Sequence, residues 1–452
     1  MRRKEGGIHT KEVHNSEQKL AKQGGETMFP SRKITRRDFL KSIGAVGGAA
    51  AVGGLSFPQN SWAQAKEPLK IGFIQPLTGP FGTEARDQEA AATLAVEEFN
   101  ARGGVLGRKI ELLVRDDKLQ PEESARRAKE LLEKDKIHMM AGSIGAHTQL
   151  AMNEQCKRAQ TIFMSTSASN EITMAKDVSP YTFSEATNLH IITQAVGRWT
   201  AQNLGKKWFI LAANYGFGWQ TTEGFRRIGK IMGCTEVGLI NHPTGATDYT
   251  TYFPKIMAAE PEVLLLCNFG KDQLNSVKQV HEFGLKKKMK VICPLIVLTS
   301  RMAAGDEPYE GMIGGATFYW GLESMIPTAK TFVTNYRKRW GRPPTDMSGY
   351  AYSGVRGILS AVERAGDMDT KKVVLALEGY EYDFYKGKQW MRAWDHRSIQ
   401  DMFVLQSKTG KEKTEEWDVF KVVDTVKASD GMERPAAELG LQEGVPLSRQ
   451  LP

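Results

Sequence analysis

Three short segments combine hydroxyls, small residues and a carboxamide in a way that suits an anionic head group. They are Pro76–Thr83 (PLTGPFGT), Ser143–Thr148 (SIGAHT) and Thr166–Asn170 (TSASN). Each follows an apolar run, and the first two lead into a helical pattern. Amides exposed at a helix start bind a carboxylate or phosphate. Gly145 allows close backbone approach, and Ser167, Ala168 and Ser169 keep the third loop small. Ser, Thr and Asn also cap helices, and a cap and a ligand can share the same amides. A second set of loops is aromatic and apolar: Tyr215, Phe217, Trp219, Phe269 and Leu295, with Phe318, Tyr319 and Trp320 further on. Aromatic side chains bury large areas with defined ring geometry, although Trp219 and Trp320 suit hinge or core packing equally. The two sets together call for a small ligand with a carboxylate at one end and an apolar, ring-sized body at the other.

The motifs of the chain argue against an enzyme. The chain has no G-x-S-x-G and no H-E-x-x-H, and the G-x-G at Gly216–Gly218 lacks the third glycine and downstream acid of a dinucleotide site. No cofactor is expected. His147 is the one histidine in these loops and reads as a helix-start residue or ligand donor, not a base. Asp116 and Asp117 end a strand, and Asp248 reads as a helix N-cap. Cys156, Cys234, Cys267 and Cys293 form no C-x-x-C or Cys/His cluster, so no metal site is expected, and free, mostly buried thiols are.

Positioning these loops requires alternating strands and helices. Leu69–Gln75, Lys109–Arg115, Ile137–Gly142 and Thr161–Ser165 read as strands, separated by helices over Glu84–Arg102, Pro121–Lys134 and His147–Arg158. The pattern restarts with strands at Trp208–Ala213, Glu236–His242, Val263–Asn268 and Lys290–Pro294. Between them lie helices at Gly218–Met232, Tyr249–Ala259 and Lys271–Phe283. Two such halves predict an α/β fold of two lobes, each a parallel sheet covered on both faces. Ligands of such sheets bind beyond the carboxyl ends of the strands, where all the loops above lie. Helices around Pro327–Trp340 and Ser348–Ala365, and a strand pair at Gln389–Trp394 and Ser398–Gln406, read as a return to the first lobe and a last recrossing. The expected division is 66–187 plus 319–388 for one lobe, 188–318 plus 389–427 for the other, and a polar surface tail over 428–452.

The front of the chain is of another kind. Arg36 and Arg37 precede an uncharged, Gly/Ala-rich run from Ser42 to Phe57, and Ala63-Gln64-Ala65 offers an A-x-A cleavage pattern. The run is too short and too weakly apolar for a span of about 20 residues. It resembles a twin-arginine export signal, with Thr35 where Ser is usual; residues 1–27 form an extended leader, or translation starts at Met28. Of 61 Lys and Arg and 52 Asp and Glu, residues 1–65 hold 11 and 5, leaving 50 against 47, a net of +3. The basic excess therefore belongs largely to the leader and gives no argument for a nucleic-acid partner. Lys286–Lys290 reads as a solvated connection.

KIGFIQPLTGPFG, FNARGGVLGRKIELLVRDD, PEESARRAKELL and MAGSIGAHT follow one another in the first half, and ANYGFG, TDYTTYFPKI and CNFGKDQLNSVKQVHEFGL in the second. Over about Leu69–Val422 this order resembles the Leu/Ile/Val type of periplasmic substrate-binding protein, the receptors of ABC importers. The resemblance implies two Rossmann-like lobes with parallel sheets, joined by three crossovers and closing by a hinge (a type I periplasmic binding protein). It also implies an inner-membrane permease as partner, monomeric action in the periplasm, and no cofactor. The family's first-lobe contacts fall on Phe81, on Gly145 or Ala146, and on Ser167, Ala168 and Ser169, with His147 beside them. In the second lobe they fall on Phe217 and Phe269, with Tyr319 and Trp320 at the crossover. The acid that pairs with an amino acid's α-ammonium aligns with Leu295. That exchange favours a simple or aromatic acid, and the residues around Gly218, Asp248–Pro254 and Phe318–Trp320 resemble relatives that import aromatic acids. A sensor of the same fold and a true branched-chain amino acid receptor are the alternatives.

Overall fold

β1 (Leu69–Gln75) is buried almost throughout, as a central strand covered on both faces must be. In a computed structural model, which describes residues 66–428 and 433–452, it lies inside a five-stranded parallel sheet. The expected export segment, with Arg36 and Arg37, lies outside the described residues. After β1 come α1 (Gly82–Ala101), β2 (Ile110–Asp116), α2 (Pro121–Glu133), β3 (Met139–Gly142), α3 (Thr148–Arg158), β4 (Ile162–Ser165) and β5 (Thr182–Ser184). The sheet order is β2-β1-β3-β4-β5.

The second lobe begins with α4 (Leu189–Asn203), which Asn188 caps by accepting the Ile191 N–H at 2.8 Å. It continues through β6 (Lys207–Ala213), α5 (Gly216–Met232), β7 (Thr235–His242), α6 (Phe253–Ala258), β8 (Val263–Cys267), α7 (Lys271–Glu282), β9 (Lys290–Leu295), α8 (Leu298–Ala304), α9 (Asp306–Tyr309) and β10 (Ile313–Ala316). α6 is shorter than expected because Thr250–Tyr252 form a separate 3-10 turn ahead of Pro254, with Asp248 accepting from the Thr250 N–H. The chain then returns to the first lobe with α10 (Pro327–Trp340) and α11 (Asp346–Ala365). A reciprocal Thr345–Ser348 capping box starts α11, which lies along α1.

α12 (Thr370–Leu377) leads to β11 (Glu381–Tyr382), β12 (Gln389–Met391) and β13 (Ser398–Ile399), a small antiparallel sheet. The expected division put residues from 389 onward in the second lobe. Residues 389–391 instead pair with β11, residues 398–399 pair with 390–391, and Arg397 bridges Ser184 of the first lobe. The return comes at β14 (Met402–Ser407), antiparallel to β10 and to a last strand, β15 (Phe420–Val426), that the sequence reading missed. The second sheet runs β15-β14-β10-β9-β8-β6-β7.

Three segments cross between the lobes, at 185–188, 317–320 and 400–401. Buried side chains tie them together. Gln400 Nε2 donates to the Glu185 carbonyl at 2.6 Å, and Lys386 Nζ donates to the Thr317 carbonyl at 3.0 Å and to Gln400 Oε1.

The C-terminal segment is anchored where it lies: α13 (Ala436–Leu439) and a later turn bury Leu439 and Leu447, apolar side chains that interrupt its polar sequence. Lys286 is only partly solvated, donating to the carbonyls of Glu307, Pro308 and Glu310. All four cysteines are free, three of them buried.

Candidate functional site

Gln75, the last residue of β1, sets the position of the first cleft loop. Its side-chain carbonyl accepts the Ile144 N–H at 2.9 Å, while its Nε2 donates to Gln88 at 2.6 Å. Ser167 Oγ donates to the Ile144 carbonyl at 2.9 Å, joining SIGAHT to TSASN. Ser169 Oγ accepts from the Glu171 N–H at 3.2 Å. Both serine hydroxyls are thus used inside the loops. What remains is backbone: the N–H groups of Ala146 and Ala168 make no hydrogen bond among the described residues. A Cβ at Gly145 would stand 2.4 Å from Thr148 Oγ1 and 2.9 Å from Leu119 Cδ1, so a larger residue there would displace those side chains.

These loops face the strand ends of the second lobe across a narrow cleft. Phe81, Ile144, Ala146, Ala168, Tyr215, Phe217, Phe269, Leu295 and Met347 line one small cavity, with about 20 Å³ of free room in this closed arrangement. No lining residue is charged. Phe81, Ala146, Ala168, Phe217, Phe269 and Leu295, all singled out in the sequence, meet here. Gly145, His147, Ser167 and Ser169 stand behind the wall. His147 Nε2 donates to the Leu119 carbonyl at 3.2 Å, and its ring packs on Tyr215 with centroids 5.8 Å apart. Burial holds its pKa below the usual histidine value.

Tyr319 and Trp320 are not part of the lining. Tyr319 OH donates to Asp418 at 3.2 Å and Trp320 Nε1 to the Trp417 carbonyl at 3.0 Å, so both pack the second crossing against the β14–β15 connection. Phe318 packs on Phe332 and Tyr385. Trp219 is 56 % exposed and donates to Asn214. The sequence reading missed Ile144, Met347 and Gln220. Met347 sits in the first turn of α11, far along the chain and without a local motif. Gln220 lies just past the NYGFG loop, where the first turn of α5 turns inward.

The lobes touch through named bonds. Lys271 N–H donates to the Pro80 carbonyl at 3.2 Å, and Asn170 N–H to Gln220 Oε1 at 2.8 Å. Thr299 Oγ1 donates to Glu84 Oε1 at 2.9 Å. Burial raises Glu84 to about 7 and Asp346 to about 8. Asp87 is also raised by burial, although Arg342 and Thr345 bind it. Glu84 sits at the lobe seam, and none of the three carboxyls lines the cavity.

Two α/β lobes closed over one neutral cavity at their strand ends, tied by three crossings, define a two-lobed solute receptor. The chain belongs to the periplasmic binding protein family, which matches residues 68–412. A twin-arginine translocation pathway signal sequence matches residues 33–53, so the protein is exported by that route to the periplasm. It is similar to Leu/Ile/Val-binding protein homolog 4 of Brucella abortus (strain 2308), 24% identical over 82% of this chain and 94% of the relative. Its fold is similar to that of a periplasmic binding protein from Burkholderia mallei (26% identity, TM-score 0.75, 80% of this chain and 95% of the other). It is also similar to an ABC-transporter solute-binding protein from Rhodopseudomonas palustris BisB5 in complex with 3,4-dihydroxy benzoic acid. There the identity is 22% and the TM-score 0.72, over 80% of this chain and 98% of the other.

Proposed function

We propose that the protein captures a small carboxylate with a ring-sized apolar body, such as a benzoate-type acid, and delivers it as a monomer to an inner-membrane permease. The observation that carries this reading is the neutral cavity: aromatic walls on both lobes, two unbonded backbone N–H groups among its residues, and Leu295, which by the family resemblance takes the place of the acid that meets an amino acid's ammonium. A ring stacks among Phe81, Phe217 and Phe269, and the carboxylate takes the amides of Ala146 and Ala168. An ammonium placed against Leu295 would be desolvated without a partner, which is costly. The 3,4-dihydroxy benzoic acid bound by the Rhodopseudomonas relative supports the ligand class. On this reading residues 66–184 with 321–399 form one jaw, and 189–316 with 402–427 the other.

Isothermal titration of the chain from Lys66 with benzoate, 3,4-dihydroxybenzoate, leucine and valine tests the proposal. Binding of the aromatic acids and not of the amino acids is expected. Tight leucine binding would favour the second reading, a branched-chain amino acid receptor, for which the Brucella relative speaks.

A further inference from the structure

Gln220 is 7 % exposed and has one filled end and one empty end. Its Oε1 accepts the Asn170 N–H at 2.8 Å. A backbone N–H can only donate, so the amide orientation is fixed by its partner. Its Nε2 is buried and has no partner. A buried donor without an acceptor costs stability that a suitable partner would restore.

The place of that empty end is informative. A Cβ built on Gly216 would stand 3.7 Å from Gln220 Nε2 and 3.7 Å from Ala146 Cβ. The free donor and Ala146, a residue of the cavity wall whose own N–H is also free, thus flank Gly216 together, with Gln220 itself just behind the lining. The contact at the other end of the side chain is a contact between lobes: Asn170 follows β4 in the first lobe, and Gln220 is in α5 of the second. Asn170 is itself held from the second lobe, its Oδ1 accepting the His190 N–H at 2.9 Å.

We propose that Gln220 is a ligand-positioning residue that couples recognition to closure. Its Nε2 donates to an oxygen acceptor of the ligand, the carboxylate held by the first lobe, while its Oε1 fastens Asn170 as the lobes meet. A ligand with an oxygen acceptor at that end completes both halves of the side chain at once. A ligand of the same shape with a methyl or ammonium there leaves Nε2 unsatisfied. The carboxamide does not titrate, so Gln220 itself adds no pH dependence to this coupling. The inference rests on the cleft being the ligand site.

Two variants separate the two ends in the chain from Lys66. Gln220→Glu keeps an acceptor for Asn170 and removes the donor; Gln220→Met removes both. Benzoate affinity is measured by titration calorimetry, and exchange of the Asn170 amide by hydrogen–deuterium exchange without ligand. Melting curves confirm that both variants fold. Benzoate binding at least tenfold weaker in both is expected, with Asn170 exchange unchanged in Gln220→Glu and faster in Gln220→Met. Unaltered benzoate affinity in Gln220→Glu, or unaltered exchange in Gln220→Met, overturns the coupling. If the parent chain binds neither benzoate nor 3,4-dihydroxybenzoate, the aromatic-acid reading falls, and the ligand-free exchange of Asn170 alone decides the closing role of Gln220.

Discussion

Phe81 of the first lobe and Phe269 of the second meet edge to face across the cleft, with ring centroids 5.2 Å apart and planes at 87°. Each ring also touches a further aromatic: Phe81 lies 5.9 Å from Tyr215, and Phe269 lies 5.9 Å from Phe217. The lobes can come this close because residue 270 is glycine. Its φ is +61°, and a Cβ there would fall 2.8 Å from the Pro80 carbonyl oxygen and 2.9 Å from the Phe81 ring. Positive φ alone favours glycine. The clash with backbone has no flexible side chain to relieve it.

Gly270→Ala should therefore leave each lobe folded and hold the cleft ajar. Benzoate affinity is expected to fall at least about tenfold, equal to about 1.4 kcal/mol. The ligand-induced fall in radius of gyration seen by small-angle scattering should shrink or vanish. Phe81→Ala removes an aromatic pair worth about 0.5–1.5 kcal/mol beyond its buried area. It should weaken binding by a similar factor without blocking closure. Full closure of Gly270→Ala with normal affinity would show that Gly270 is not what lets the lobes meet.

Glu84 makes the closed form sensitive to pH. Burial raises its pKa from 4.5 to about 7, outweighing the bonds from its own backbone and Thr299 and the attraction of Lys271; nearby Asp87 pushes the same way. An acid raised in the folded state lends stability that is complete below its unfolded pKa and lost as pH climbs through the folded one. The window is thus about pH 4.5 to 7, and the loss is about 3 kcal/mol at most. Asp346, raised to about 8 by burial, extends the decline upward. The melting temperature should fall from pH 5 to pH 9. In Glu84→Gln the lower part of that slope should flatten. A profile of unchanged slope in Glu84→Gln would refute this role.

Leu295 decides between ligand charges. Its side chain is 1 % exposed in the cavity wall, and its carbonyl accepts from Gln273 Nε2 at 2.7 Å. Leu295→Glu sets a carboxylate where an α-ammonium would stand. Benzoate affinity is expected to drop about 100-fold or more, since two like charges would share a low-dielectric site. Leucine should begin to raise the melting temperature, its ammonium supplying the buried acid with a partner. A thermal-shift assay reads both. If leucine already stabilises the parent chain, another group meets the ammonium and Leu295 does not set specificity.

Much of this architecture is legible in the residues. Buried parallel strands such as LKIGFIQ and VLLLC are continuous apolar runs, and each sits where its run predicts. The loops at their ends follow directly and bring in Ala168, Phe217, Phe269 and Leu295, whereas Phe81 and Ala146 stand out only through the family resemblance. The rest depends on contacts distant in sequence. Hydroxyls in TSASN look like ligand donors until the fold turns Ser167 toward Ile144. Tyr319 and Trp320 resemble cleft aromatics until Asp418 and the Trp417 carbonyl claim their polar ends, about 100 residues later in the chain. The strands β12 and β13 are too short for periodicity to say which lobe they join.

The C-terminal segment supplies the last expectation, because it touches both lobes. Glu438 pairs with Arg227 of α5 in the second lobe through two bonds of 2.6 and 2.7 Å. The next residue, Leu439, gives its carbonyl to the Ala175 N–H of the first lobe at 2.8 Å. Further on, Leu447 N–H donates to the Ala393 carbonyl at 3.0 Å, and Ser448 binds Glu378 through its N–H and its hydroxyl. The segment, which follows β15 of the second lobe, is thus fixed to the first lobe and held to the second by the Glu438–Arg227 pair and by Asn188 Nδ2, which donates to Glu433 at 2.9 Å. The buried Leu439 and Leu447 contribute about 1.5–3 kcal/mol each. The half-exposed Glu438–Arg227 pair contributes at most about 1 kcal/mol. A chain ending at Ala428 should lose several degrees of melting temperature, at roughly 2–4 °C per kcal/mol. Glu438→Ala should cost less than about 3 °C, yet widen the ligand-free cleft, seen as a larger radius of gyration. A truncated chain with the parent's melting temperature would show that the segment is not a structural part of the first lobe. An unchanged radius of gyration in Glu438→Ala would show that the ion pair does not restrain opening.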